Sequence, residues 1–289
     1  MKITLGTRGS LLAVQQSEDL VAHLRAAGHE ILWKRFTTHG DQWLAGPLGK
    51  EEGAGFFTKE LEDALLSKDV DLLIHSFKDV ALDRPAGIVT ACVPRREDSA
   101  DWLVMRPDAP ENPVIGTSSE RRLRFLSQAL PKATFTWIRG NVPTRLQRVK
   151  DGVLRDAPLH GTVLAAAGLR RLGLDLTGLT VRPFGPRELL PAPAQGALLA
   201  ECRAEDTAIL EALKDFHHPL TRTCVTLERG VLRGIGGGCQ QPLGALCTQE
   251  PGGFHLQAAF AGPDGIRWAE SRGTDEDALV AEVLRGLGL

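Results

Sequence analysis

Leu5-Gly6-Thr7-Arg8-Gly9-Ser10 ends an apolar run near the start of the chain, and Ile115-Gly116-Thr117-Ser118-Ser119 repeats its outline far downstream. Both stretches read as a strand, a turn rich in glycine or hydroxyls, and a helix. In the first, residues 3–7 form the strand, and Ser10 caps a helix that runs to Ala27 and stops at Gly28. In the second, the strand is 114–116, the turn 117–119 and the helix 120–130. A strand that hands over to a helix at such a turn is the unit of an α/β sheet, so its recurrence predicts two similar α/β domains.

Working outward, a second strand falls around 31–37, and the glycine- and proline-rich stretch 46–55 predicts a mobile surface loop. A helix over about 58–67 leads into the apolar strand 70–76, which ends in Phe77-Lys78-Asp79-Val80. The pattern restarts after Pro94-Arg95-Arg96-Glu97-Asp98. A strand over 134–138 is followed by Arg139-Gly140-Asn141 and a helix with Pro143 near its start, then by a strand at 162–166 and a helix at 169–172. Residues 181–194 hold four prolines and read as a crossover linker. Beyond His217-His218-Pro219 the style changes. A helix reaches about Arg233, strands follow near 243–248, 254–260 and 266–272, and a helix spans about 276–287. This last part reads as a small α+β domain.

Bulk composition excludes several classes. At 289 residues the chain has room for two or three domains, and its net charge of -2 gives no sign of general nucleic-acid or membrane binding. The cations comprise 25 Arg and only 9 Lys, and Arg pairs with carboxylate or phosphate through two hydrogen bonds at once. Five cysteines, Cys92, Cys202, Cys224, Cys239 and Cys247, show no C-x-x-C pair and an odd count. Neither a zinc site nor a disulfide framework is therefore favoured. With no export signal or membrane-spanning apolar run in the sequence, a reducing cytoplasm is the expected compartment.

Chemistry gathers at the strand ends. Arg8 and Ser10 occupy the first turn, Thr117, Ser118, Ser119, Arg121 and Arg122 the second, and Arg139 and Asn141 the third, with Arg145 in the helix beyond. In open α/β sheets that edge binds ligands, because unpaired helix N–H groups and the helix dipole face outward. Three such turns predict a grip on several carboxylates or phosphates. Asp79 would repel a purely anionic ligand, but fits one that also carries or develops positive charge; the plain alternative is a capping aspartate. His75 reads as a hydrogen-bonded core residue. Cys239, in Gly234-Ile235-Gly236-Gly237-Gly238-Cys239-Gln240-Gln241-Pro242, is either an accessible, modifiable thiol or a buried cysteine beside a turn. No P-loop and no nucleophile-elbow signature is present in the sequence.

These motifs in this order resemble the porphobilinogen deaminase (hydroxymethylbilane synthase) family over nearly the whole chain. The resemblance is carried by Thr7-Arg8-Gly9-Ser10, Phe57-Thr58-Lys59-Glu60-Leu61-Glu62, His75-Ser76-Phe77-Lys78-Asp79-Val80 and Gly116-Thr117-Ser118-Ser119 with Arg121-Arg122. It continues through Arg139-Gly140-Asn141-Val142, Leu164-Ala165-Ala166-Ala167-Gly168-Leu169, Gln195-Gly196-Ala197 and Gly237-Gly238-Cys239-Gln240. The resemblance implies a transferase of tetrapyrrole and heme biosynthesis. It would join four porphobilinogen units head to tail with loss of ammonia on a dipyrromethane primer, one per chain, and then release hydroxymethylbilane with water. It implies a thioether from Cys239 to that cofactor and Asp79 as the catalytic group. Arg8, Ser10, Lys50, Lys78, Thr117, Ser118, Ser119, Arg121, Arg122, Arg139, Gly140, Asn141, Arg145, Ala165, Arg171 and Gln195 would bind cofactor and substrate. Each pyrrole carries an acetate and a propionate, which gives the Arg-rich rim its reason.

The implied fold is two doubly wound, mixed-sheet domains like those of periplasmic binding proteins, plus the small α+β domain. Boundaries are expected at 1–95 with about 195–213 returning, 98–190, and 216–289. A monomer with no nucleic-acid or membrane partner is expected. Three positions depart from the family pattern: Ala54 for a loop Lys, Pro143 for a common Gly, and Ala194 for the Gly before Gln195. The rival readings are a non-catalytic, cytoplasmic two-lobed binder of a small anion and an acyl-transfer enzyme with Cys239 as nucleophile.

Overall fold

The computed structural model describes residues 1–38, 58–237 and 241–289. Lys50, Ala54, Cys239 and the whole 46–55 stretch lie outside the described residues. The chain divides into two compact units, Met1–Glu97 with Gly196–Thr223, and Asp98–Gln195 with Cys224–Leu289.

In chain order the first strands are β1 (Lys2–Arg8), β2 (Glu30–Phe36), β3 (Leu72–Ser76) and β4 (Ile88–Cys92). Next come β5 (Asp101–Met105), β6 (Val114–Gly116), β7 (Thr134–Thr136), the hairpin β8 (Val153–Leu154) and β9 (Ala157–Pro158), β10 (Gly161–Ala165) and β11 (Thr180–Pro183). The last are β12 (Leu198–Arg203), β13 (Leu243–Glu250), β14 (Gly253–Gly262) and β15 (Gly265–Gly273).

The first unit holds a sheet of order β2-β1-β3-β12-β4 in which β12 alone runs antiparallel to its neighbours. The second unit's larger sheet, β11-β5-β10-β6-β7, read from its other end, has the same plan, with β5 as the antiparallel strand. Thus β1 corresponds to β6, β3 to β10 and β12 to β5. The two similar turns in the sequence lie at equivalent places, after β1 and after β6. Gly6 and Gly116 also play matching parts: a Cβ on either would come within 2.8 Å of Leu73 or 2.9 Å of Ile138. The strands can pack this tightly only because that atom is missing.

Apolar strands bury themselves between helices. In the first unit Ile3, Leu5, Leu72, Ile74 and Ala200 pack with Leu20, Val21 and Leu24 of the helix Glu18–Ala26. In the second, Leu103, Ile115 and Val163 pack with Phe125 and Leu126 of the helix Glu120–Ala129, and Ala259 and Ala261 of β14 join the same core. The antiparallel sheet β13-β14-β15, with the helix Glu276–Gly286, is the small C-terminal α+β part. Each fully buried Leu, Ile, Val or Phe contributes about 1.5–3 kcal/mol against solvent exposure.

Two expectations need correction. The helix expected from Ser10 to Ala27 is broken into Leu11–Gln15 and Glu18–Ala26. The Ser17 hydroxyl donates to the Ala13 carbonyl (2.8 Å), and buried Gln16 turns aside to accept a hydrogen bond from Ser76 Oγ (3.0 Å); such local bonds compete with the helical ladder. The linker 181–194 begins inside β11, which pairs with β5 from Thr180 to Pro183. Pro183 is tolerated there because β11 is an edge strand.

Candidate active site

In the first unit β1 and β3 end side by side, which brings their turns together. Ser10 caps the following helix by accepting from Ala13 N (3.2 Å), while Gly9 N is tied to the Phe36 carbonyl (2.8 Å). After β3, one 3₁₀ turn, Phe77–Asp79, aims Lys78 and Asp79 along the same edge. Phe77 is buried, and its N–H donates to the Ala197 carbonyl (3.0 Å), which anchors that turn. Arg8, Ser10, Gln16, Thr58, Ser76, Lys78 and Asp79 line a pocket of about 220 Å³. Thr58 is 1% exposed, and its hydroxyl meets no hydrogen-bond partner among the described residues.

His75 lies under this pocket, as expected of a core residue. Its Nε2 stands 3.4 Å from buried Glu201, which Arg84 grips through both carboxylate oxygens (2.8 and 2.6 Å). The third Arg84 contact is Glu62 (2.6 Å). Burial alone would lift the Glu201 carboxyl, but His75 and Arg84 outweigh that and hold it below its ordinary value.

The second unit repeats the edge with different chemistry. Thr117 N–H donates to the Thr136 carbonyl, Thr117 Oγ1 accepts from Ser119 N–H (3.2 Å), and Ser118 Oγ donates to the Ile138 carbonyl. Ser119 caps the helix Glu120–Ala129. These hydroxyls thereby shape the turn. Arg121 and Arg122 point inward: both are buried, and both hydrogen-bond Asp101, from Arg121 at 2.7 Å and from Arg122 at 2.6 and 3.1 Å. They also donate to the carbonyls of Leu190 and Val163. Gln195 completes this knot, with Nε2 on Asp101 (3.0 Å) and on the Ser99 carbonyl (2.8 Å). The two guanidinium groups hold Asp101 well below the usual carboxylate range, against the upward push of burial.

Beyond β7, Gly140 adopts φ 108°, and Asn141 caps the helix Val142–Asp151 by accepting from Thr144 N (2.9 Å). Pro143 falls in the first turn of that helix, where its missing N–H costs nothing. Arg145 folds back so that its Nε donates to the Gly140 carbonyl (2.8 Å). Burial, and then repulsion from Arg122, Arg139 and Arg148, lowers its guanidinium to about 10. Arg122 is answered by Asp101, so the positive charge that Arg145 meets there comes chiefly from Arg139 and Arg148. Ala165 precedes the helix Ala166–Leu172, which carries half-buried Arg171.

The structure therefore brings Arg8, Ser10, Lys78 and Asp79 to one pocket, and Arg139 and Arg145 to one cationic cluster. Thr58, Asp101 and Arg148 were not expected as site residues. Arg148 carried a signal, since it stands one helical turn after Arg145. Asp101 showed only as an acid at the head of an apolar strand.

A carboxylate set among cations, at the ligand-binding edge of a doubly wound sheet, defines an anion-handling α/β protein with a carboxylate in its pocket. A family model described as "Porphobilinogen deaminase, dipyromethane cofactor binding domain" matches residues 3–211, and one described as "Porphobilinogen deaminase, C-terminal domain" matches residues 222–284. Porphobilinogen deaminase of Desulforudis audaxviator is 41% identical over 98% of this chain and 93% of its own length. That of Sorangium cellulosum is 40% identical over 94% and 91%. Among solved structures, the BenM effector-binding domain with benzoate aligns at TM-score 0.44 and 13% identity, over 82% of this chain and 94% of that one. The chain belongs to the porphobilinogen deaminase family.

The described residues fit the family's dipyrromethane. In the second unit the Arg139–Arg145–Arg148 cluster suits its carboxylates. Among the described residues no helix is long and apolar enough to cross a membrane.

Proposed function

We propose that this chain carries out the family's reaction, with Cys239 as the thioether anchor of the dipyrromethane and Asp79 as its catalytic carboxylate. Family membership favours this over a non-catalytic binder. The observation that carries the reading is the company Asp79 keeps: Arg8, Ser10 and Lys78 share its pocket. A lone carboxylate there weakens the grip on a plain anion. It helps a ligand that brings carboxylates and also becomes cationic as ammonia departs.

Bound dipyrromethane would supply the free ring carbon onto which the first porphobilinogen condenses. The aminomethyl carbon of the substrate would exchange its bond to nitrogen, whose electron pair leaves with ammonia, for a bond to that ring carbon, which gives up its proton. Asp79 would stabilise the positive charge at ring N–H groups and help the proton move. Arg8, Lys50, Lys78, Arg139, Arg145 and Arg171 would hold acetate and propionate groups. Ser10, Thr117, Ser118, Ser119, Gly140, Asn141 and Ala165 would set the turns that present them, while Arg121, Arg122 and Gln195 would act from the Asp101 knot. The family also supports a cytoplasmic monomer, which size-exclusion chromatography with light scattering would check.

The deciding experiment is the intact mass of the protein after incubation with porphobilinogen, with peptide mapping around Cys239. A gain of two porphobilinogen units less the ammonia lost, localised to Cys239, is the expected result. A thiol still unmodified after that incubation would overturn the reading.

A further inference from the structure

Trp137 has no part in the site described above, yet two cations meet its ring. The Arg155 guanidinium lies 4.6 Å from the ring centroid and the Arg139 guanidinium 5.9 Å. Arg155 sits at the turn of the β8–β9 hairpin, and Leu154 seats that hairpin by packing with Ile138 and Val149. The neighbours of Trp137 are therefore fixed by core contacts. From Arg139 the positive charge continues inward: its carbonyl accepts from Arg148 (2.5 Å), and Arg139 and Arg148 both bear on Arg145. Among the described residues Arg145, Arg148 and Arg155 form no ion pair with a carboxylate.

We propose that Trp137 and Arg155 extend the Arg139–Arg145–Arg148 cluster into a subsite for an aromatic polycarboxylate. An indole face accepts a second aromatic ring by offset stacking, and guanidinium forks match carboxylates. The same parts could receive single-stranded nucleic acid, but a net charge of -2 provides no general field for a phosphate chain. The natural occupant rests on the family reading: a pyrrole chain gains an acetate and a propionate with every unit, and a growing ligand needs cations beyond its first contacts. The bland account is a cation–π stack that only steadies the hairpin.

Benzenehexacarboxylate is a suitable probe, titrated at low salt into the purified full-length protein while tryptophan fluorescence is read. Comparing the parent with Trp137→Phe isolates the response of that one indole. The expected result is a Trp137-dependent change whose apparent Kd weakens about fivefold in Arg155→Ala and partly recovers in Arg155→Lys, with Tm moving by less than about 2 °C. Arg124→Ala removes an exposed charge elsewhere and should leave the Kd unchanged. The proposal is overturned if the parent shows no Trp137-dependent response, if Arg124→Ala weakens binding as much as Arg155→Ala, or if oligothymidylate binds the site in preference to the probe. Loading of Cys239 is scored separately on the same preparations. Loading without a Trp137 response removes only the subsite, whereas a response without loading removes the proposed reaction and the pyrrole occupant but leaves the polycarboxylate subsite.

Discussion

Arg145 is stable in the fold at a cost and useful because of it. Burial and three like charges lower its guanidinium to about 10, so its charge is a cost to the folded protein until an anion arrives. Replacing it with Met should leave Tm unchanged or raise it, while weakening porphobilinogen binding by roughly a hundredfold; a clear fall in Tm would contradict this account. Asp79 is the opposite case, since the proposed reaction sets it against the reacting groups. Asp79→Asn should keep the circular dichroism spectrum and lose about 10²–10⁴ in turnover. Ala194 is a third kind of residue. Its φ of 62° lies in the left-handed region, and its N–H is held by buried Glu228 (2.7 Å). Ala194→Gly should relieve that strain and stabilise the protein by about 1 kcal/mol, read as a rise in the urea midpoint.

Among elements, the legible ones announce themselves locally. β1, β3 and β6 are apolar runs ended by glycine or hydroxyl turns, and Arg8, Lys78 and Asp79 could be found because they stand at those ends. β12 is a different matter. Leu198-Leu199-Ala200-Glu201-Cys202-Arg203 is buried throughout, yet two of its six side chains are charged, which hides the strand from any hydrophobic pattern. Those charges are met by distant residues, Glu201 by Arg84 and Arg203 by Asp71 (3.0 Å), with nearby Asp206 (2.9 Å) assisting the latter. The role of Asp101, the break at Gln16 and Ser17, and the buried hydroxyl of Thr58 beside the pocket likewise exist only once remote segments meet. Arg84→Leu should be costly, because it strands Glu201 and Glu62 without their shared cation. We expect a loss of about 3 kcal/mol in urea unfolding, with the Asp79 pocket disturbed secondarily. A neutral result would mean water reaches those carboxylates.

For the molecule as a whole, each unit holds a buried carboxylate on arginine that is shifted downward, Glu201 in the first and Asp101 in the second. Both are held below their ordinary values in the folded state. Their contribution is therefore fully present above the unfolded values, about 3.9 for Asp and 4.3 for Glu, and is lost as pH falls through the folded ones. Thermal stability should stay nearly level from pH 8 to 5 and drop below about pH 4, which differential scanning calorimetry would show. A decline already under way at pH 6 would point to histidine instead.

The position of β12 also dictates an order of events during synthesis. It pairs with β3 from Leu198 to Ser76, and β4 joins the sheet only through β12. A ribosome adding about 5–20 residues per second must work for roughly ten seconds after Ser76 before that partner emerges. In that interval the nascent chain displays the open edge of β3, while all the strands from β5 to β11 have already been translated. The half that begins the polypeptide is the one that must wait to close, so chaperone capture of this protein should fall on its first hundred residues.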